Sequence, residues 1–138
     1  MPLKITHTLD GGIFVLASGI LKAKELIEMN QAIYETKDKI KSIKYQINDF
    51  TGISDIIYDD ADIDIIARQD KRAYDINPDM LIAVICKQDL IFGLSRMWEA
   101  KSLMPFSNTS VFRKVEDAYI WISERLKKSL TVHDSGRS

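Results

Sequence analysis

The sequence predicts a single α/β domain built on a mixed, mostly parallel sheet of about five strands, with about four helices and a β-hairpin at its start. Three observations carry that reading. Strand-like apolar runs alternate with segments of helical period along the chain. The turn sequence Asp10-Gly11-Gly12 separates the first two strand-like runs. The block Val111 to Ile122 closes the pattern with a short strand followed at once by a helix.

The elements follow in order. Leu3, Ile5, His7 and Leu9 alternate with Lys4, Thr6 and Thr8, the period of a half-buried strand. After the glycine pair, residues 13–17 are continuously apolar, as in a strand covered on both faces. Leu21, Leu26, Ile27, Ile33 and Tyr34 recur at helical spacing and predict one amphipathic helix over residues 21–39. In the third strand Ile43, Tyr45 and Ile47 point one way and Lys44, Gln46 and Asn48 the other, and it is expected to end at Asp49-Phe50-Thr51-Gly52.

A second helix is predicted from Asp59 to Asp75. Asp59, Asp60, Asp62 and Asp64 crowd the end where free amides and the helix dipole favour negative charge. Asn77-Pro78 stops it, because the residue before proline avoids the helical region. Met80 to Cys86 is a second continuous apolar run and the candidate for the central parallel strand. A third helix covers 89–103, a last strand 109–112, and a fourth helix 115–130. Glu116 and Asp117 begin that helix and Arg125, Lys127 and Lys128 end it, both matching the dipole. Residues 1–130 are thus one domain, and 131–138 are expected to form a flexible tail.

At 138 residues the chain is long enough to bury roughly two-thirds of its unfolded surface. With 46% hydrophobic and 28% charged residues, it has the balance of a folded domain. A net charge of −1 and the lack of a long Lys/Arg run argue against nucleic acid as a partner. The apolar run 13–21 is far shorter than the roughly 20 residues a transmembrane helix needs. It is also poorly flanked for an export signal, so a cytoplasmic protein is expected. Cys86 is the single cysteine, which excludes an internal disulfide and cysteine-pair metal sites.

No catalytic set can be assembled, and neither a cofactor nor a metal is expected. His7 and His133 are far apart, and no serine–histidine–carboxylate grouping includes either. Asp60-Ala61-Asp62-Ile63-Asp64 begins like a calcium loop. The sixth and twelfth positions, which that loop needs as glycine and glutamate, are Ile65 and Lys71. Cys86 ends an inner strand, where Lys87 and a helix start could activate a thiol, but a lone apolar-flanked cysteine is ordinarily a core residue. Two candidate sites remain. Asp49, Thr51 and Ser54 are expected in the loop at the carboxyl end of the third strand, where open parallel sheets bind ligands. Met97, Trp98, Met104 and Phe106 cluster around the third helix and its exit, as the wall of an apolar pocket or as core.

Three segments resemble the SpoIIAA-like proteins, a STAS/Sec14-related group within the STAS-like superfamily. They are Asn48-Asp49-Phe50-Thr51-Gly52-Ile53, Leu81-Ile82-Ala83-Val84-Ile85-Cys86, and Val111-Phe112-Arg113 followed by Glu116-Asp117-Ala118 and Trp121-Ile122. The resemblance spans residues 3–126 and implies a mixed sheet with helices and a binding role without catalysis. In anti-sigma-factor antagonists of that superfamily a serine at a helix start is phosphorylated. Here Tyr58-Asp59-Asp60-Ala61 stands at that place, so the acceptor is missing and Asp59 and Asp60 supply fixed charge. The expected function is a non-enzymatic module for a protein partner or a small ligand, with a homodimer among the expected assemblies. The alternative is a carrier or sensor of a small hydrophobic or lipid-like ligand, which the Sec14 relationship implies.

Overall fold

The computed structural model describes residues 3–127. The hairpin is present as β1 (Leu3–His7) and β2 (Gly12–Lys22), antiparallel, with Leu3 opposite Ala17 and His7 opposite Ile13. Its turn depends on the glycines. Gly11 has φ +90, a conformation that disfavours any side chain, and a Cβ on Gly12 would fall 2.3 Å from the Tyr45 ring. The Gly12 amide donates to Thr8 Oγ1 at 2.8 Å, and Thr8 Oγ1 in turn bonds Asp10.

The remaining elements are α1 (Ala23–Ile33), α2 (Lys37–Ser42), β3 (Tyr45–Ile57), α3 (Asp60–Ile76), β4 (Leu81–Ile85), α4 (Asp89–Ser102), β5 (Thr109–Phe112) and α5 (Val115–Leu126). The strands lie in the order β1-β2-β3-β4-β5, and every pair after the hairpin is parallel. This is the mixed, mostly parallel α/β class expected from the alternation. The middle strand is β3, and the strand expected at the centre, β4, is its inner neighbour.

Because neighbouring strands are also consecutive in sequence, crossovers of one hand place α1, α3 and α4 on one face. Ile13 and Val15 of β2 and Ile82 and Val84 of β4 meet Met29, Ile33, Ile63, Ile66 and Trp98 there. On the opposite face Phe14, Tyr45, Ile47 and Ile85 pack under α5 through Ala118, Tyr119 and Ile122. Phe14 meets both Tyr45 and Tyr119 edge-on, with ring centroids 5.8 and 6.3 Å apart.

Four expectations are corrected. The single helix over 21–39 is two, which raises the helix number among the described residues to five. Leu21 and Lys22 still belong to β2, α1 ends at Tyr34, and Thr36 starts α2 by accepting the Lys39 amide at 3.1 Å. The third strand continues to Ile57, so Thr51 and Ser54 lie in β3 and not in a loop. Past a register break after Leu16–Asp49, β2 and β3 pair again from Ser18–Gly52 to Lys22–Ile57 as a two-stranded extension. Gly52 fits that close approach, since a Cβ there would stand 3.1 Å from the Ala17 carbonyl. His7, placed on an apolar face by alternation, is exposed on the edge strand. Gln46 and Asn48, on the polar side of β3, are 1% and 8% exposed. The helix expected over 115–130 ends at Leu126, where Lys127 turns into the left-handed region, and the tail expected at 131–138 lies outside the described residues.

Candidate functional site

The burial of Gln46 and Asn48 follows from their neighbours. Gln46 is flanked by Ile13 and Ile82 and Asn48 by Val15 and Val84, all four apolar and all under the same helices. A strand in the middle of a sheet covered on both faces has no solvent side, so its polar residues must find partners inside.

Gln46 joins a network that draws on three helices and converges on Asp70 of α3. Tyr34, the residue capping α1, donates its hydroxyl to Asp70 Oδ1 at 2.7 Å, and Trp98 of α4 donates Nε1 to Oδ2 at 2.8 Å. Asn30 of α1 reaches Oδ1 at 3.4 Å and Gln69 Oε1 at 3.1 Å. Gln46 donates Nε2 to the Tyr34 oxygen at 2.5 Å, which ties the network to the sheet. Burial pushes the Asp70 carboxyl up from 3.8 to about 6, against the opposing pull of its Tyr34, Trp98 and Asn30 donors. Burial and the adjacent Asp70 charge together raise the Tyr34 hydroxyl well above its ordinary value.

Beside this network lies a cavity of about 70 Å³. Met29, Ile63, Ile66, Val84, Ile91 and Leu94 form its apolar wall, and Asn30, Gln46, Asn48, Asp70, Ser95 and Trp98 supply its polar atoms. Half-buried Leu26, Phe50 and Ile56 place the mouth toward the carboxyl end of β3. Asn48 Oδ1 is buried and has no hydrogen-bond partner. An unpartnered buried acceptor of this kind costs about 1–3 kcal/mol, so its place in a cavity wall is informative.

The residues singled out by sequence are distributed around this site. Of the apolar four, Trp98 lines the cavity, and Met104 is buried in the same core without lining it. Met97 and Phe106 are 41% and 76% exposed, so the four do not form one pocket. Asp49 is buried and accepts the Thr51 amide at 3.0 Å and the Thr51 hydroxyl at 2.6 Å. Neither lines the cavity, and Ser54 is exposed further along β3.

Asp59 and Asp60 are exposed at the start of α3. Asp59 caps that helix by accepting the Asp62 amide at 3.0 Å, while its own amide donates to Asp62 Oδ2 at 3.1 Å. The Asp59 amide, together with Lys24 at 3.1 Å from the Asp62 carboxylate, holds the Asp62 carboxyl below its ordinary value.

Cys86 is fully buried, and burial pushes its thiol up, away from the lowered pKa of a nucleophile. Among the described residues no group of three or more His, Cys, Asp or Glu side chains could hold a metal ion. Among them, too, no helix is long and apolar enough to cross a membrane.

Sequence reasoning missed Asn30, Tyr34, Gln46, Asn48 and Asp70. A signal did exist for two of them, because a polar pair between two continuously apolar strands, residues 13–17 and 80–86, has to be enclosed. No family model matches the chain, and no curated protein does.

Proposed function

We propose that this chain is a non-enzymatic binding module that takes a small, mainly apolar ligand into the cavity between β3, β4, α1, α3 and α4, as a carrier or sensor. The observation that carries the reading is the mainly apolar cavity itself, whose wall includes Asn48, a buried residue with an unpartnered side-chain oxygen. The position of the mouth adds support, since open α/β sheets bind ligands beyond the carboxyl ends of their strands. The three segments resembling SpoIIAA-like, STAS/Sec14-related proteins favour the same function, and the five-stranded sheet opening with a hairpin suits that relationship.

A volume of about 70 Å³ is around half that of an engineered cavity that binds benzene, so the buried part of the ligand is short. Anything longer extends past Phe50 and Ile56 toward solvent.

Native mass spectrometry of protein purified without detergent tests the proposal, and the expected result is a population carrying a small organic adduct. Thermal unfolding across a panel of short apolar compounds should show at least one concentration-dependent rise in Tm. A bare protein mass together with an unchanged Tm across the panel would overturn it.

A further inference from the structure

The sign of the charge in the cavity wall narrows the ligand class. Asp70 is the only acidic or basic side chain there, since the wall contains no Glu, Lys, Arg or His. Its carboxylate is enclosed and meets only uncharged donors, Tyr34 and Asn30 at Oδ1 and Trp98 at Oδ2. Among the described residues no Lys, Arg or His forms an ion pair with it. Two other buried acids differ in this respect, because Asp62 has Lys24 at 3.1 Å and Glu99 has Arg96 at 3.5 Å. Buried charges are ordinarily paired in that way, and Asp70, which lines the cavity, is not.

Resting on the binding reading above, we infer that the ligand is a small protonated amine whose cation stands beside Asp70 and whose short apolar body lies against Ile63, Ile66 and Leu94. The Asn48 and Gln46 side chains are neutral, so whichever of their atoms meet the ligand, they leave its sign to Asp70. A carboxylate would bring a second negative charge beside the first, with no cation in the wall to balance it. A neutral ligand would leave Asp70 as uncompensated as it is in the unliganded protein. An ammonium group must shed its own water, but it enters a site where the opposing charge is already desolvated. The pair then attracts across a medium that screens less than water does. Burial already pushes the Asp70 carboxyl up to about 6, the behaviour of an anion short of compensation, and still leaves it mostly ionised at pH 7.5.

The test uses four probes on the 15N-labelled full chain at pH 7.5: xenon, 1-butanol, butyrate and butylammonium. The readout is the indole Nε1–H resonance of Trp98, which lines the cavity and donates to Asp70. Butylammonium should shift it saturably and bind about tenfold more tightly than butanol, the difference a charge-assisted hydrogen bond makes, while butyrate should not bind. Asp70→Asn keeps the shape of the side chain, so it should bring butylammonium down to the affinity of butanol or below and leave xenon uptake intact. Butanol or butyrate binding as tightly as butylammonium would overturn the inference. That comparison needs only the wild type, so it stands even if the variant fails to fold. Unchanged butylammonium affinity in a folded Asp70→Asn protein would overturn it equally. In either case xenon binding would leave the cavity reading standing. If none of the four probes shifted Trp98, both readings would fall.

Discussion

Replacing Asp70 by Asn removes the one carboxyl in the interior network whose ionisation is set by burial. Its folded value of about 6 stands above the ordinary 3.8, so between those limits the folded protein holds a proton that the unfolded chain releases. For an acid raised in this way, the associated stability is fully present below about pH 4. It declines as pH rises toward 6 and is gone above that value. The shift is about two pH units, and each unit corresponds to 1.36 kcal/mol, so the wild type should lose about 3 kcal/mol from this group between pH 4 and 7.5. The Asn variant has no proton to exchange. Other carboxyls, including Asp62 and Glu35, which are held low, titrate alike in both proteins and cancel from the difference.

The assay is urea unfolding of both proteins at pH 4, 5, 6 and 7.5, followed by tryptophan fluorescence and far-ultraviolet dichroism. The stability of the variant relative to wild type should rise by about 3 kcal/mol across that range, whatever fixed cost the lost acceptor imposes at every pH. A difference constant to within about 0.5 kcal/mol would refute the argument. It would mean that the donors from Tyr34, Trp98 and Asn30 offset the whole cost of enclosing the charge.

Two further outcomes follow from the same geometry. Asp59→Ala breaks the reciprocal Asp59–Asp62 cap of α3 and should cost about 1 kcal/mol, measured as a lower urea midpoint with an unchanged slope. Cys86 should react with iodoacetamide at pH 7.5 far more slowly in the folded protein than in urea, since it is enclosed and its thiol is pushed up. Equal rates in the two states, read by mass spectrometry, would contradict that placement.

Much of the fold was legible because local and global signals agree in it. The acidic start of α3 and Asn77-Pro78 after it bound that helix to within a residue or two, and β5 falls on residues 109–112 as expected. What was not legible depends on pairing between distant segments. The continuation of β3 to Ile57 needs β2 to resume its register at Ser18–Gly52, which no local period announces. The break between α1 and α2 carries neither proline nor glycine. It comes from Thr36, a β-branched residue whose side chain caps a new helix more readily than it continues the old one.

The candidate site was hidden for a related reason, and the reason bears on its function. Alternation in β3 separates a polar from an apolar side, but strands apolar on both sides flank it, so Gln46 and Asn48 sit where the fold alone would favour Val or Ile. Gln46 has a structural explanation, since it fastens the sheet to Tyr34 and through it to Asp70. Asn48, a residue of the cavity lining, has none of that kind: its oxygen is enclosed and unanswered, at a cost that an aliphatic side chain of similar size would avoid. Departures from local consistency tend to gather where a protein binds something. Here the departure comes down to one side chain, so Asn48→Leu separates two accounts. If Asn48 serves the ligand, the variant should be at least as stable as wild type when unliganded and should show a smaller rise in Tm with the short apolar compounds that stabilise wild type. If Asn48 serves only the fold, the variant should lose stability and leave binding unchanged.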